Sequence, residues 1–265
     1  MKKIYLFLII LLILLIVIYG KYKFVKYNKN VYKWHCDNTY PFHEKLSKTE
    51  QDYIKVCIKT SYWELLRPFY IIFDPFIRRL SYFTYSHRVK NGKVNSSRIA
   101  YGAAINHMQI YEHALEVIKE RKIKCEIIPD KNILFGGLGW DIESGHFKIY
   151  YRFLDYKKLG SRYKKLSPDM TGKCRSGLLS ITYDNDGNIL ERKLYGYPKN
   201  ERVAYLKSEK RSDIQQDCDK YMDWRPKVGD AGKKILKMYR KDGYWLDAIT
   251  YKDDMNYTMY FPVVG

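Results

Sequence analysis

Residues 178–195 read LLSITYDNDGNILERKLY. On either side of Asp184-Asn185-Asp186-Gly187 apolar residues recur at every second position, the period of a strand with one buried face. Asp-Gly supplies residues that tolerate positive φ, so the stretch predicts a β-hairpin with strands near 178–183 and 188–195. Two other stretches follow the same plan. One has strands near Ile133–Trp140 and His146–Leu154 about the turn Glu143-Ser144-Gly145. The other has strands near Tyr244–Tyr251 and Tyr257–Val263 about Asp253-Asp254-Met255-Asn256. In each, a hydrophobic strand leads into an acidic turn and then into a strand rich in Tyr and Lys. The three are expected to be structurally equivalent ββ units.

Upstream of Lys124 the period is 3.6, and helices are expected. Ser47-Lys48-Thr49-Glu50 is a capping box that opens a helix to about Leu66, with Ile54, Cys57, Ile58, Trp63 and Leu66 near one face, and Pro68 ends it. Asp74-Pro75 predicts a second, basic amphipathic helix with Phe76, Ile77, Leu80 and Phe83 on one face. Lys90-Asn91-Gly92-Lys93 is a turn that Asn95–Ser97 extends as loop. A helix then runs from about Ile99 to Arg121, with Met108, Tyr111, Leu115 and Ile118 as its buried stripe. Downstream, Lys157 to Arg175 is a basic loop, residues 208–221 are expected to be helical, and a firmer helix runs from Asp230 to Gly243 with Ile235 and Met238 inward. Helices beside an antiparallel sheet make an α+β domain. The expected organisation is an anchor (1–20), a basic stalk (21–45) and one α+β domain (46–265), helical over 46–122 and built of three hairpins over 123–265.

The anchor is Ile4 to Tyr19, sixteen residues without a charge, entered from Lys2-Lys3 and left through Gly20-Lys21. At about 1.5 Å per residue it reaches roughly 25 Å, near the lower limit of a spanning helix. Tyr5, Tyr19 and Tyr22 stand where interfacial aromatics belong. The apolar run exceeds the usual signal-peptide core and no small-x-small cleavage site follows it, so a single-pass signal-anchor is expected. Lys21, Lys23, Lys26, Lys29 and Lys33 outnumber the basic groups on the other side, which places the C-terminal domain in the cytosol.

The formal charge is +19 and 27 residues are Tyr, a bias that AT-rich coding also produces. Such a surface suits the lipid bilayer, anionic lipid headgroups or a protein partner. Nucleic acid is disfavoured, since no zinc finger, RNP motif or helix-turn-helix pattern is present. The five cysteines are scattered, with no C-x-x-C, which argues against a disulfide framework and a zinc site. His35, Cys36 and His43 match no standard metal spacing, and His113 beside Glu116 lacks a partner helix with matching ligands; neither a metal nor a cofactor is expected. The sequons at Asn95 and Asn256 matter only in the reverse orientation.

Strand alternation gives the candidate site. Lys148, Tyr150 and Arg152 share one face of the strand after Gly145, while Phe147, Ile149, Tyr151 and Phe153 take the other. Glu191, Lys193 and Tyr195 share a face on the second hairpin, as do Thr258 and Tyr260 on the third. If the sheet curls, Lys148, Tyr150, Arg152, Lys193, Tyr195 and Tyr260 line one concave basic-aromatic surface suited to an anion with an apolar or cationic appendage. Antiparallel ββα units closed into a barrel with a Lys/Tyr/Arg lumen would resemble the aromatic prenyltransferases in architecture alone. Asp141 and His146, with Glu143 at the adjacent turn, are the weak candidates for acid-base work. Gly136-Gly137-Leu138-Gly139 lacks the G-K-[ST] of a phosphate loop and marks a strand kink.

The leading expectation is a membrane-anchored binding or assembly module in a viral or cellular membrane structure. The competing one is a membrane-tethered enzyme acting on a phosphorylated or lipid substrate at the polar face of the sheet. Both require the anchor. The chain should stay in the membrane fraction through carbonate extraction at high pH, and release into the supernatant would remove the anchor from the account.

Overall fold

The computed structural model describes residues 5, 9–13, 15, 19, 44–61, 81–103, 108–155, 157, 159–161, 163, 174–198, 204–210, 217–222, 228–241, 246 and 248–262. The strands among them are β1 (Ser81–Lys90), β2 (Lys93–Ala103), β3 (Ile133–Asp141), β4 (Phe147–Phe153), β5 (Cys174–Tyr183), β6 (Ile189–Pro198), β7 (Ala204–Lys210), β8 (Asp217–Met222), β9 (Ala248–Asp253) and β10 (Asn256–Pro262). Each pairs antiparallel with its neighbour in the chain, and β10 returns to β1, so the sheet closes into a barrel. Closure removes the free edges that a flat sheet would leave. Among the described residues the helices beside it are α1 (Lys48–Ser61) before β1, α2 (Met108–Glu120) between β2 and β3, and α3 (Asp230–Lys241) between β8 and β9.

The wall has two chemistries, set by period-2 alternation. Outward go Tyr85, Ile99, Tyr101, Leu138, Trp140, Phe147, Ile149, Leu179, Ile181, Leu194, Met259 and Phe261, all buried with α1, α2 and α3 residues in one hydrophobic core. Inward go Ser86, Arg98, Lys148, Tyr150, Ser180, Thr182, Glu191 and Lys193, as their cross-strand register requires. The core therefore lies between barrel and helices, and the lumen is polar.

The α+β class and the antiparallel sheet hold, but the three expected hairpins are five strand pairs. Residues 81–103, expected to be helix and loop, form β1 and β2. Asn91 and Gly92 have φ of 51° and 73°, the pair of positive values that a two-residue hairpin turn requires. Their Asn-Gly signal, read only as a turn, was a hairpin signal. Ile99–Ala103 consequently completes β2, and α2 begins at Met108. Its buried stripe is Ile110, Ala114 and Val117 with Ile118; Leu115 is exposed. Of residues 208–221, expected to be helical, 208–210 fall in β7 and 217–221 in β8, whose registers are fixed by β6 and β9 on either side, and 211–216 lie outside the described residues. A polar stretch with weak period of its own takes the conformation its neighbours' unpaired backbone demands. On α3 Ile235 faces inward as expected, but Tyr239 rather than Met238 completes the stripe. The helix expected after Asp74 lies outside the described residues up to position 80, and 81–83 belong to β1. The stalk, with His35, Cys36 and His43, lies outside them as well.

The capping box forms as the sequence requires. Glu50 N donates to Ser47 Oγ at 3.2 Å and Ser47 N donates to Glu50 Oε2 at 2.9 Å. The same carboxylate, buried, accepts from Trp140 Nε1 at 2.9 Å and pairs with Arg121 at 2.5 Å. One turn on, Tyr53 donates its hydroxyl to Tyr101 O at 2.7 Å and accepts from Leu138 N at 3.1 Å. It thereby bridges β2 and β3 beside the bulge at Phe135/Gly137. Gly137, at φ 142°, is the kink expected of the glycine-rich stretch; a Cβ there would stand 2.2 Å from Tyr101 O.

On the opposite side α3 lays Tyr239 flat on Phe261, ring centroids 3.8 Å apart. Beneath them His87 bonds Ser97 Oγ through Nδ1 at 2.9 Å and Tyr239 Oη through Nε2 at 2.8 Å. Burial pushes His87 down to about 4. Its folded value lies below its unfolded one, so its contribution is complete above pH 6.5 and is lost as pH falls toward 4.

Two outcomes follow for denaturation in detergent. Gly137→Ala should cost at least about 2 kcal/mol, from positive-φ strain and backbone collision. Gly160→Ala, whose Cβ would come no closer than 3.9 Å to Tyr163, should be near neutral. Equal midpoints would refute the close approach. Between pH 6.5 and 4 the wild type should lose up to about 3 kcal/mol more than His87→Gln. Parallel pH profiles would show that His87 is not held neutral.

Candidate functional site

Strand register brings the lumen groups together. Arg98 on β2 faces Asp141 on β3, and Arg98 Nη2 stands 2.6 Å from Asp141 Oδ1. One pair along, Gly139 replaces any side chain and faces Lys148 on β4, which faces Thr182 on β5, which faces Glu191 on β6. The next belt runs Tyr150, Ser180, Lys193. On the other flank of Arg98, Ser86 on β1 lies between Arg98 and Tyr260 on β10. Gly139 keeps the wall low under the Tyr150 ring: a Cβ there would meet Tyr150 Cε2 at 3.1 Å and Ala100 Cβ at 3.3 Å.

Lys148 is the anomaly. It is 1% exposed, and its Nζ has no hydrogen-bond partner among the described residues. Its Nζ stands over the face of Tyr150, 5.9 Å from the ring centroid. Burial, then the Arg98 and Lys193 charges, push it well below the ordinary lysine range. Arg98 Nε, Ser180 Oγ and Thr182 Oγ1 are also buried without a partner among the described residues. Native proteins leave few such groups, and here four donors of one lumen share the condition.

The anions of the lumen are already engaged. Glu191 stands 3.5 Å from Lys193 Nζ. Burial pushes its carboxyl up, but the Lys193, Lys148, Arg98 and Arg88 charges outweigh that and hold it at about 2. Asp141 is matched by Arg98. Four cations against two carboxylates leave the described lumen with an excess of positive charge. The aromatic side is a phenol cluster. Thr250 Oγ1 donates to Tyr260 Oη at 3.0 Å, and Tyr260 in turn bonds Tyr195. Burial pushes Tyr150 up to about 12 and Tyr195 well above the usual range, so both stay protonated hydroxyls at neutral pH.

Lys148, Tyr150, Lys193, Tyr195 and Tyr260 thus come together within the barrel. Arg152 shares their face but stands exposed at the rim, opposite Leu134 and Leu178. Asp141 directs its carboxylate to Arg98; it meets His146 through the backbone, Asp141 N donating to His146 O at 2.9 Å. The reading by sequence missed Arg98, Ser180 and Thr182. Arg98 was hidden because its strand was taken for loop and helix, and the Asn91-Gly92 hairpin would have exposed it. His113 and Glu116 form a surface pair at 3.4 Å. Among the described residues no group of three or more His, Cys, Asp or Glu could hold a metal ion.

Neither a comparison with protein-family models nor one with curated protein sequences yields a match.

A buried cation without a partner destabilises the fold that holds it. Lys148→Met keeps the volume and removes the amine, so it should raise stability by about 1–3 kcal/mol in urea denaturation. A loss of stability would mean that the amine is satisfied by groups of the barrel itself.

Proposed function

We propose that this chain is a membrane-tethered enzyme whose barrel lumen takes a phosphorylated or lipid substrate. The observation that carries the reading is Lys148 Nζ, buried beside Arg98 and Lys193 and unpartnered among the described residues. A phosphate group would supply the missing acceptors to Lys148, Arg98 Nε, Ser180 and Thr182 together. It would also favour the charged form of Lys148, since an opposite charge stabilises the ammonium against the burial that disfavours it. Tyr150, Tyr195 and Tyr260 would then contact the remainder of the substrate, with their faces toward apolar or cationic parts. Where the phosphate is the leaving group, the same preformed cations would stabilise the charge that develops on it.

Tethering is the second half of the proposal, and Ile4–Tyr19 supports it. Residues 9–13 are helical and every one is exposed, at 43–58%. Five consecutive residues sweep more than a full helical turn, so no side of this apolar turn packs on the barrel. An apolar surface of that kind needs lipid or a partner. Among the described residues no helix is long and apolar enough to cross a membrane, and most of the segment lies outside them. The apolar outer wall of the barrel is not available to lipid where it is described, because core residues cover it. The binding or assembly module remains the second reading, favoured by the basic outer surface.

Inorganic diphosphate separates the two. At saturation it should raise the Tm of the full chain in detergent by about 5 °C or more. Lys148→Met should start from a higher Tm and fail to respond. An unresponsive wild type would favour the binding or assembly module.

A further inference from the structure

The outer face of α3 is unlike the rest of the wall. In DAGKKILKMYRK, Gly232, Ile235 and Tyr239 are buried, and Leu236 is half-buried against the core. Every other residue from Lys233 to Lys241 is exposed: Lys233, Lys234, Lys237, Met238, Arg240 and Lys241. Five of these six are cationic. The one acid of the helix, Asp230, stands at its N-terminal end, 3.2 Å from Lys233 Nζ. The C-terminal two turns therefore carry cations alone, and Met238 is exposed among them at 43%, with Lys234 and Lys241 one turn before and after it. A shallow hollow on this surface is lined by Lys233, Leu236, Lys237, Arg240 and Lys241.

The geometry points to α3 as a docking surface for the anionic headgroups of a lipid bilayer. Long lysine stems can lie along the helix with their ammonium groups among headgroup phosphates, while Met238 enters the acyl boundary between them. Each basic residue near an anionic leaflet adds attraction, and here they share one short face. The exposed set has a single Arg and no aromatic ring on which a base would stack, so a nucleic acid strand is the poorer fit. Lipid is also the surface that the apolar segment Ile4–Tyr19 would bring within reach. To that extent the inference rests on the tethering proposed above, although the charge of α3 does not.

The test uses the full chain and its own lysines. It would be incorporated into vesicles of phosphatidylcholine alone, or with phosphatidylserine, and acetylated briefly; modification of each lysine would be read by mass spectrometry. Lys233, Lys234, Lys237 and Lys241 should be acetylated at least about threefold more slowly on the anionic vesicles, with high salt abolishing the difference. Lys124 and Lys131, exposed but outside α3, should not change. In Lys234→Glu/Lys237→Glu, both positions exposed, the protection of Lys233 and Lys241 should be lost. Equal acetylation on the two vesicle types would overturn the assignment. Flotation reads tethering separately: a chain that fails to float with phosphatidylcholine lacks the anchor, and its α3 lysines can still be tested against anionic vesicles.

Discussion

Everything in this molecule follows from a closed sheet whose strands must satisfy two environments at once. Each residue points either to the helices or to the lumen, and its neighbours point the other way. On β4 the outward set is Phe147, Ile149, Tyr151 and Phe153, all buried in the core, and the inward set is Lys148, Tyr150 and Arg152. Burial of the first set holds the second in place. A slip of one residue would exchange the two, sending Lys148 into the aromatic core and Ile149 into the lumen. The lumen cations therefore owe their position to the hydrophobic effect on the other side of a single strand.

That arrangement carries a cost the core must bear. Arg98, Lys148 and Lys193 converge where charge is poorly solvated, and two carboxylates offset only part of it. Proteins place such groups where they act on something. The lumen wall beside Arg98 uses Ala100 and Gly139, small residues that leave room for the Tyr150 ring.

How far the sequence could be read depended on the strength of local signals. Asp186-Gly187 and Gly145, at φ 80° and 71°, announced their hairpins because only certain residues accept those turns. The alternation on β4 and β6 then placed five lumen residues without knowledge of the barrel. The errors came from segments whose conformation is imposed from outside. Residues 208–221 carry charge in no clear period, and where they are described, in β7 and β8, pairing with β6 and β9 decides them. Arg98 lies one strand from a turn that was recognised, yet a helical period downstream was extended back over it. Closure itself has no local signature, since β10 meets β1 across most of the chain.

Among the described residues, α1 is the first element after the N-terminal segment, and buried side chains wire it to the barrel. Glu50 ties α1 to Trp140 and Arg121, and Tyr53 spans β2 and β3 beside the bulge in the β3–β4 ladder. Tension arriving through the residues before Ser47 would be borne by a capped helix and a phenolic cross-link, well before it reached the end of β1.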